Sequence, residues 1–260
     1  MRAFLNRLLR GPQGPLPTRD RGKPPSPNGA SSMHLMWELS SRPALAVRAT
    51  LEVVEPPQTN DLYFFAMQAS FVDGTAHAGG AHIGLQWNNR HPGNTAANWG
   101  GYHSQERGGG ILDGTPSLLP STPNDRNTRD YQWQAGRGYR FEIGPGATPG
   151  WWLGTITDLT SGVRSAVREL HGGGTGLAAP MVWCEVFAAC DAPSVQVYWS
   201  DLQYSRHAGD WMSVDAVRTN YQDFAAGGCT NTNSAAASSG WTQTTNVPRQ
   251  EPTGTVLTSR

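Results

Sequence analysis

The sequence predicts an all-β protein, an antiparallel two-sheet β-sandwich of the concanavalin or jelly-roll kind, and three observations predict it. Short segments alternate apolar and polar residues with a two-residue period, the mark of strands with one buried and one wet face. Turn residues separate these segments at even spacing, and 31 Gly and 19 Pro leave little room for long helices. Ten Trp, seven Tyr and seven Phe provide the large apolar surfaces that two facing sheets bury between them, although only 37% of the 260 residues are hydrophobic.

Residues 1–32 are rich in Pro, Arg, Gly and Ser without periodicity and are expected to form a disordered, flexible tail. The opening "MRAFLNRLLRG" has the Arg residues of an export signal but lacks its apolar stretch, and Met33 is an alternative start. Residues 33–206 are expected to form the sandwich domain, and 207–260 a C-terminal extension that packs on it as edge strands, being too poor in apolar residues to fold alone.

"HLMWELS" places Leu35, Trp37 and Leu39 on one side. "ALAVRATLEVVE" turns Leu45, Val47, Ala49, Leu51 and Val53 one way, inward, and Arg48, Thr50 and Glu52 outward. "LYFFAMQASF" sends Tyr63, Phe65, Met67, Ala69 and Phe71 to the core and Phe64, Gln68 and Ser70 to the other face. "GAHIGLQWN" buries Ala81, Ile83, Leu85 and Trp87, leaving His82, Gln86 and Asn88 on the other face. Residues 89–130, dominated by Asn, Gly, Pro, Thr, Asp and Arg, read as one long loop. Strands resume at "DYQWQA", "RGYRFEIG", "WWLGTITDL" and "GVRSAVREL"; "APMVWCEVFAA" and "PSVQVYWSDLQYS" read as an antiparallel pair joined at "CDAP". In "VWCEVF", Glu185 shares the non-core face with Trp183 and Phe187.

Twenty basic and twenty acidic residues balance, and no basic run lies outside the first residues, so nucleic acid is not an expected partner. No apolar stretch is long enough to span a bilayer. The three cysteines match no zinc pattern, and His77 and His82, five apart in "HAGGAH", match no ligand frame; neither a metal nor a cofactor is expected. In an oxidising compartment, Cys190 and Cys229 are the expected disulfide, both lying in loop-like sequence, with Cys184 a small buried hydrophobe.

Nucleophile-elbow, phosphate-loop and HExxH patterns are all lacking. Glu185, a carboxylate beside aromatics, fits a residue with a raised pKa and equally fits an ordinary strand Glu in solvent or paired with Arg. Glu142 and Asp158 are its conceivable acidic partners, but nothing in the sequence places them near it. The stronger signal is aromatic and amide. Gln68, Gln86, Asn88, Trp183 and Glu185 share the non-core parity, and the stretch after Asn88 adds Asn98, Trp99, Tyr102 and His103. Rings match the apolar faces of sugars and amides match their hydroxyls, so the expected function is non-catalytic, lectin-like binding of a carbohydrate on a concave sheet face. The alternative for Trp99 and Tyr102 is that they pin the loop to the sandwich. The alternative functions are a polysaccharide-active hydrolase or lyase using Glu185, and a structural envelope protein without a small ligand.

The series "YFFAMQASF", "AHIGLQW", "YRFEIG", "GWWLGTITDLTSG", "VWCEVFAACDAP" and "VYWSDL" resembles uncharacterised bacterial proteins, mainly actinobacterial, of the DUF3472 domain class. The end, "NYQDFAAGGCTNTN" and "TQTTNVPR", resembles the tail that follows such domains, so the likeness covers about Met33 to Arg249. It implies a jelly-roll-like sandwich and, for many relatives, export to the cell envelope or beyond. It brings no catalytic residues.

Overall fold

The computed structural model describes residues 16–40, 43–121 and 125–259. In chain order the strands are β1 (Ser31–Trp37), β2 (Ala46–Glu55), β3 (Tyr63–Asp73), β4 (Ala76–Trp87), β5 (Thr95–His103), β6 (Thr128–Asp130), β7 (Gly138–Pro145), β8 (Trp151–Asp158), β9 (Arg164–His171), β10 (Gly176–Val186), β11 (Gln196–Ser205), β12 (Trp211–Ser213), β13 (Ala216–Tyr221), β14 (Thr232–Ala237), β15 (Gly240–Thr245) and β16 (Val256–Thr258). They pair antiparallel into two sheets. One runs β16-β13-β1-β10-β3-β4-β5-β6; the other runs β14-β15-β11-β2-β7-β8-β9, with β12 beside β11. The predicted sandwich is the observed fold.

Its core follows the two-residue period. Leu35 and Trp37, Val47 to Val53 at alternate positions, and Tyr63, Phe65, Met67 and Phe71 all lie between the sheets, almost fully buried. A buried indole N–H left without an acceptor costs free energy, and several of the core indoles have one. Trp99 donates to the Arg168 carbonyl (3.0 Å), Trp133 to that of Gln86 (3.0 Å) and Trp199 to Gln243 Oε1 (3.0 Å). Gln243, wholly buried on β15, returns its amide N–H to the Met33 carbonyl of β1 (2.9 Å) and so ties one sheet to the other. Cys184 lies free and buried beside it, as its apolar setting implies.

Three expectations change. Residues 89–130 are not one long loop: they contain β5, central to the site below, and β6. The segments around "CDAP" do not pair with each other; β10 joins β1 and β3 in one sheet, and β11 joins β2 and β15 in the other, so their connection crosses the sandwich. The first fifteen residues of the stretch read as a flexible tail lie outside the described residues. From Leu16 to Ala30 the chain is an arm fastened to the body: Arg19 donates to the Phe224 carbonyl (2.7 Å) and stacks over its ring, and Lys23 donates to the Phe187 carbonyl (2.9 Å). The last of the tail residues, Ser31 and Ser32, already belong to β1. The C-terminal residues supply edge strands to both sheets: β13 and β16 to one, β12, β14 and β15 to the other.

Cys190 and Cys229 form the disulfide, 39 residues apart in sequence. Beside it the Cys190 N–H donates to the Gly22 carbonyl of the arm (2.8 Å), and Asn231 Nδ2 donates to the Cys190 carbonyl (2.8 Å). Closing a loop of this length lowers the entropy of the unfolded chain by an amount worth about 4 kcal/mol. Reduction, or Cys190→Ala with Cys229→Ala, is expected to lower the free energy of urea unfolding by that order; an unchanged midpoint would contradict the assignment.

Candidate functional site

The outer face of the first sheet carries a hollow of about 500 Å³ over β1, β10, β3, β4 and β5. Strand register explains which residues meet there. One row across the sheet reads Ser32, Glu185, Phe64, Gln86. The next reads His34, Trp183, Ala66, Gly84, Asn98, and the third Met36, Met181, Gln68, His82, Gly100. Small residues in the second row sink the floor. Gly84 is required there, because a Cβ would lie 2.0 Å from the Phe65 carbonyl oxygen and 2.8 Å from the Ala66 side chain. Phe64, Trp183 and His82 close over this dip edge to face, with ring centroids 4.9 to 5.7 Å apart.

Glu185 is the one carboxylate among the described residues that line the hollow, and no described lysine or arginine lines it. Burial raises its pKa above the ordinary value for Glu; an amide donor, Asn28 Nδ2 to Oε1 at 3.0 Å, and the Ser32 hydroxyl pull it partly back. Asn28 belongs to the arm. Because its hydrogen bond favours the ionised carboxylate, Asn28→Ala is expected to move the Glu185 titration to higher pH, as read by carboxyl ¹³C NMR. A midpoint that stays in place would show that the arm does not tune this group.

Gln86 lies two strands from Glu185, ~10 Å away at the backbone given the spacing of paired strands. Asn88 Nδ2 donates to Gln86 Oε1 (2.9 Å), so the Gln86 oxygen is occupied and its NH₂ is the group left for the hollow. Burial pushes His82 down to about 4, the Asn98 side chain opposing this, and burial lowers His34 as well; both imidazoles are neutral at neutral pH. Three buried polar atoms here, Trp183 Nε1, His34 Nδ1 and Asn98 Oδ1, have no partner among the described residues. Such atoms are ready donors and acceptors for a bound molecule.

The structure therefore brings together Gln68, Gln86, Tyr102, Trp183 and Glu185 at one hollow. His103 lies in a smaller hollow of about 220 Å³ that shares Gln68, His82 and Tyr102 with the first. Asn88 stands behind Gln86 as its tether. Trp99 is a correction: it is wholly buried, its indole lying against Gly154 of the facing sheet, where an added Cβ would come within 2.7 Å of the ring. Its parity follows Ala97 and Gly101, whereas Asn98 and Tyr102 turn outward. Glu142 and Asp158 are on β7 and β8 of the other sheet; Glu142 faces Arg164 (3.5 Å), and neither serves Glu185. Asn28, His34, Asn98 and Asn127 complete the hollow. The non-core parity already marks His82, and Asn98, expected from a loop, reaches the hollow from a strand, β5. Among the described residues no cluster of three or more metal-ligating side chains occurs, and no helix is long and apolar enough to cross a membrane.

Neither a family model nor a curated relative matches the sequence. Among solved structures, the chain is similar to scytalido-glutamic peptidase bound to a transition-state analogue inhibitor: 13% identity, 82% of this chain and 96% of that one covered, TM-score 0.42. It is also similar to SCP-B, of the eqolisin family of peptidases, in complex with the tripeptide Ala-Ile-His: 13% identity, 83% and 96% covered, TM-score 0.40. The enzymatically active domain of tailspike protein 2 of bacteriophage CBA120 matches with 16% identity and a TM-score of 0.31, over 73% of this chain and 24% of that one. Likeness of this degree describes the sandwich and not the chemistry.

The lectin-like reading is nevertheless corrected. The aromatic floor of the hollow offers no open ring face to a sugar: Trp183 and Phe64 are 6% and 5% exposed and meet edge to face, and Trp99 is in the core, which leaves Tyr102, 53% exposed, as the aromatic the hollow shares with solvent.

Proposed function

We propose that the hollow hydrolyses peptide bonds, with Glu185 as the proton-transferring group and Gln86 as the donor to the carbonyl oxygen. One observation carries this: a half-buried carboxyl with a raised pKa and an amide whose oxygen is already held face the same hollow from the same register row, with no second acid among the described residues lining it. Glycoside hydrolysis ordinarily needs two carboxyl groups. Amide hydrolysis needs one acid–base group and a donor where negative charge develops. Peptides are also what the similar solved structures are named for, a coincidence of class that carries none of the argument.

The Glu185 carboxylate takes a proton from water as the water oxygen attacks the carbonyl carbon. The Gln86 NH₂ donates to the oxygen that gains the charge. Glu185 then returns its proton to the amide nitrogen, the C–N bond breaks, and a carboxylic acid and an amine leave. A raised pKa suits this double duty, because such a group both accepts and releases a proton near the working pH. The test is incubation of the protein with denatured casein from acid to neutral pH, with new peptide termini read by mass spectrometry. Cleavage that depends on Glu185 is expected; no new termini at any pH would end the proposal.

A further inference from the structure

Arg168 on β9 is a buried cation with no acid in hydrogen-bonding reach among the described residues. It is 9% exposed, and burial together with neighbouring Arg129 and Arg126 lowers its pKa to about 10. Its Nη2 donates to the Trp99 carbonyl (3.2 Å) and to Asn127 Oδ1 (2.6 Å). Asn127 in turn lines the hollow, its side chain lying over Gly100, where a Cβ would come within 2.5 Å of it. With the Asn127 oxygen claimed by a guanidinium, its Nδ2 has no partner among the described residues, and the cation makes that N–H a stronger donor.

Two residues before Gly100, on the same face of β5, stands Asn98, 7% exposed. Its Nδ2 donates to the Thr128 hydroxyl (2.9 Å), which turns Oδ1 the other way. That oxygen is buried and forms no hydrogen bond among the described residues, although the Asn98 side chain lies near enough to His82 to favour the charged imidazole. One wall of the hollow thus shows an unsatisfied acceptor on β5 and a polarised donor on the segment entering β6, where Thr128, the residue after Asn127, pairs in register with Asn98. An extended peptide residue shows an N–H and a C=O along one edge in the complementary order.

We infer that Asn98 and Asn127, the latter held by Arg168, grip the backbone of one extended residue of a bound peptide: Asn98 Oδ1 accepts its N–H, and Asn127 Nδ2 donates to its C=O. The inference rests on the reading of the hollow as a peptide site but does not require hydrolysis. Asn98, Asn127 and Arg168 are positioning residues, for they touch no reacting atom.

The test uses the full chain carrying Glu185→Gln, immobilised, with a casein digest as probe. Retained peptides are identified by mass spectrometry, remade with a single N-methyl group at each amide in turn, and titrated calorimetrically. N-methylation at one position is expected to weaken binding about tenfold, the cost of one buried hydrogen bond. Asn98→Leu should erase that sensitivity, whereas Asn98→Asp, which keeps an acceptor and still pairs with Thr128, should preserve it. This contrast separates a lost contact from a misfolded β5. Asn127→Leu should weaken all retained peptides without erasing the N-methyl effect. Retention of no peptide, or an N-methyl penalty that is the same with and without the Asn98→Leu substitution, overturns the inference. Retention with the full pattern, but no cleavage by the unaltered chain, overturns the proposed hydrolysis and leaves the grip standing.

Discussion

Glu185→Gln is expected to slow casein cleavage by about 10²- to 10⁴-fold, the usual contribution of a positioned acid–base group. Gln keeps the size of Glu and can still meet Asn28, so the loss should fall on the rate and not on the fold. Stability supplies an independent check with a definite sign. Burial raises the Glu185 pKa in the folded state, so the folded protein holds that proton more tightly than the unfolded chain. Its stabilising contribution is full below the unfolded-state pKa and is lost as pH rises through the higher folded-state value. Glu185→Gln should therefore gain thermal stability relative to the unaltered chain as pH rises through that window, while losing activity throughout. A variant that loses both together would point to a structural role for the carboxylate.

Gln86→Leu carries the second large effect, about 10²- to 10³-fold in kcat, the cost of removing one donor to a developing oxyanion. Its KM should change little, because the donor is aimed at charge that grows only as water attacks. Asn88→Ala should show a milder form of the same defect, since it frees the Gln86 oxygen that Asn88 now holds and lets the amide turn. A Gln86→Leu protein with normal kcat and raised KM would reassign the amide to substrate binding.

Much of this site is legible in strand parity. Alternation assigns a face to each side chain whatever strand it pairs with, so Gln68, Gln86, Trp183 and Glu185 all turn away from the core; that β3, β4 and β10 lie in one sheet is what brings them to one hollow. Parity fails where a strand does not look like one. In "TAANWGGYH", β5 is rich in Ala, Asn and Gly, and its glycines are held by crowding: a Cβ on Gly101 would fall 2.1 Å from the Gly80 carbonyl oxygen, and one on Gly100 2.5 Å from the Asn127 side chain. Low β propensity hides the strand, and with it the inward turn of Trp99. Pairing order is no more readable: the turn at "CDAP" looks the same whether it closes a hairpin or carries the chain from one sheet to the other. Asn28 lies beyond reach for another reason. Its segment lacks periodicity, and its order comes from scattered polar contacts with the body, not from an apolar face of its own.

If Glu185 and Gln86 form one hydrolytic centre on the outer face of the first sheet, water must supply the oxygen of every new C-terminus. Cleavage of casein in H₂¹⁸O, followed by mass spectrometry of those termini, decides the matter. One ¹⁸O in each new carboxyl group is expected, with cleavage slowed about 10²- to 10⁴-fold by Glu185→Gln and about 10²- to 10³-fold by Gln86→Leu. Cleavage that proceeds undiminished in both variants would contradict the assignment.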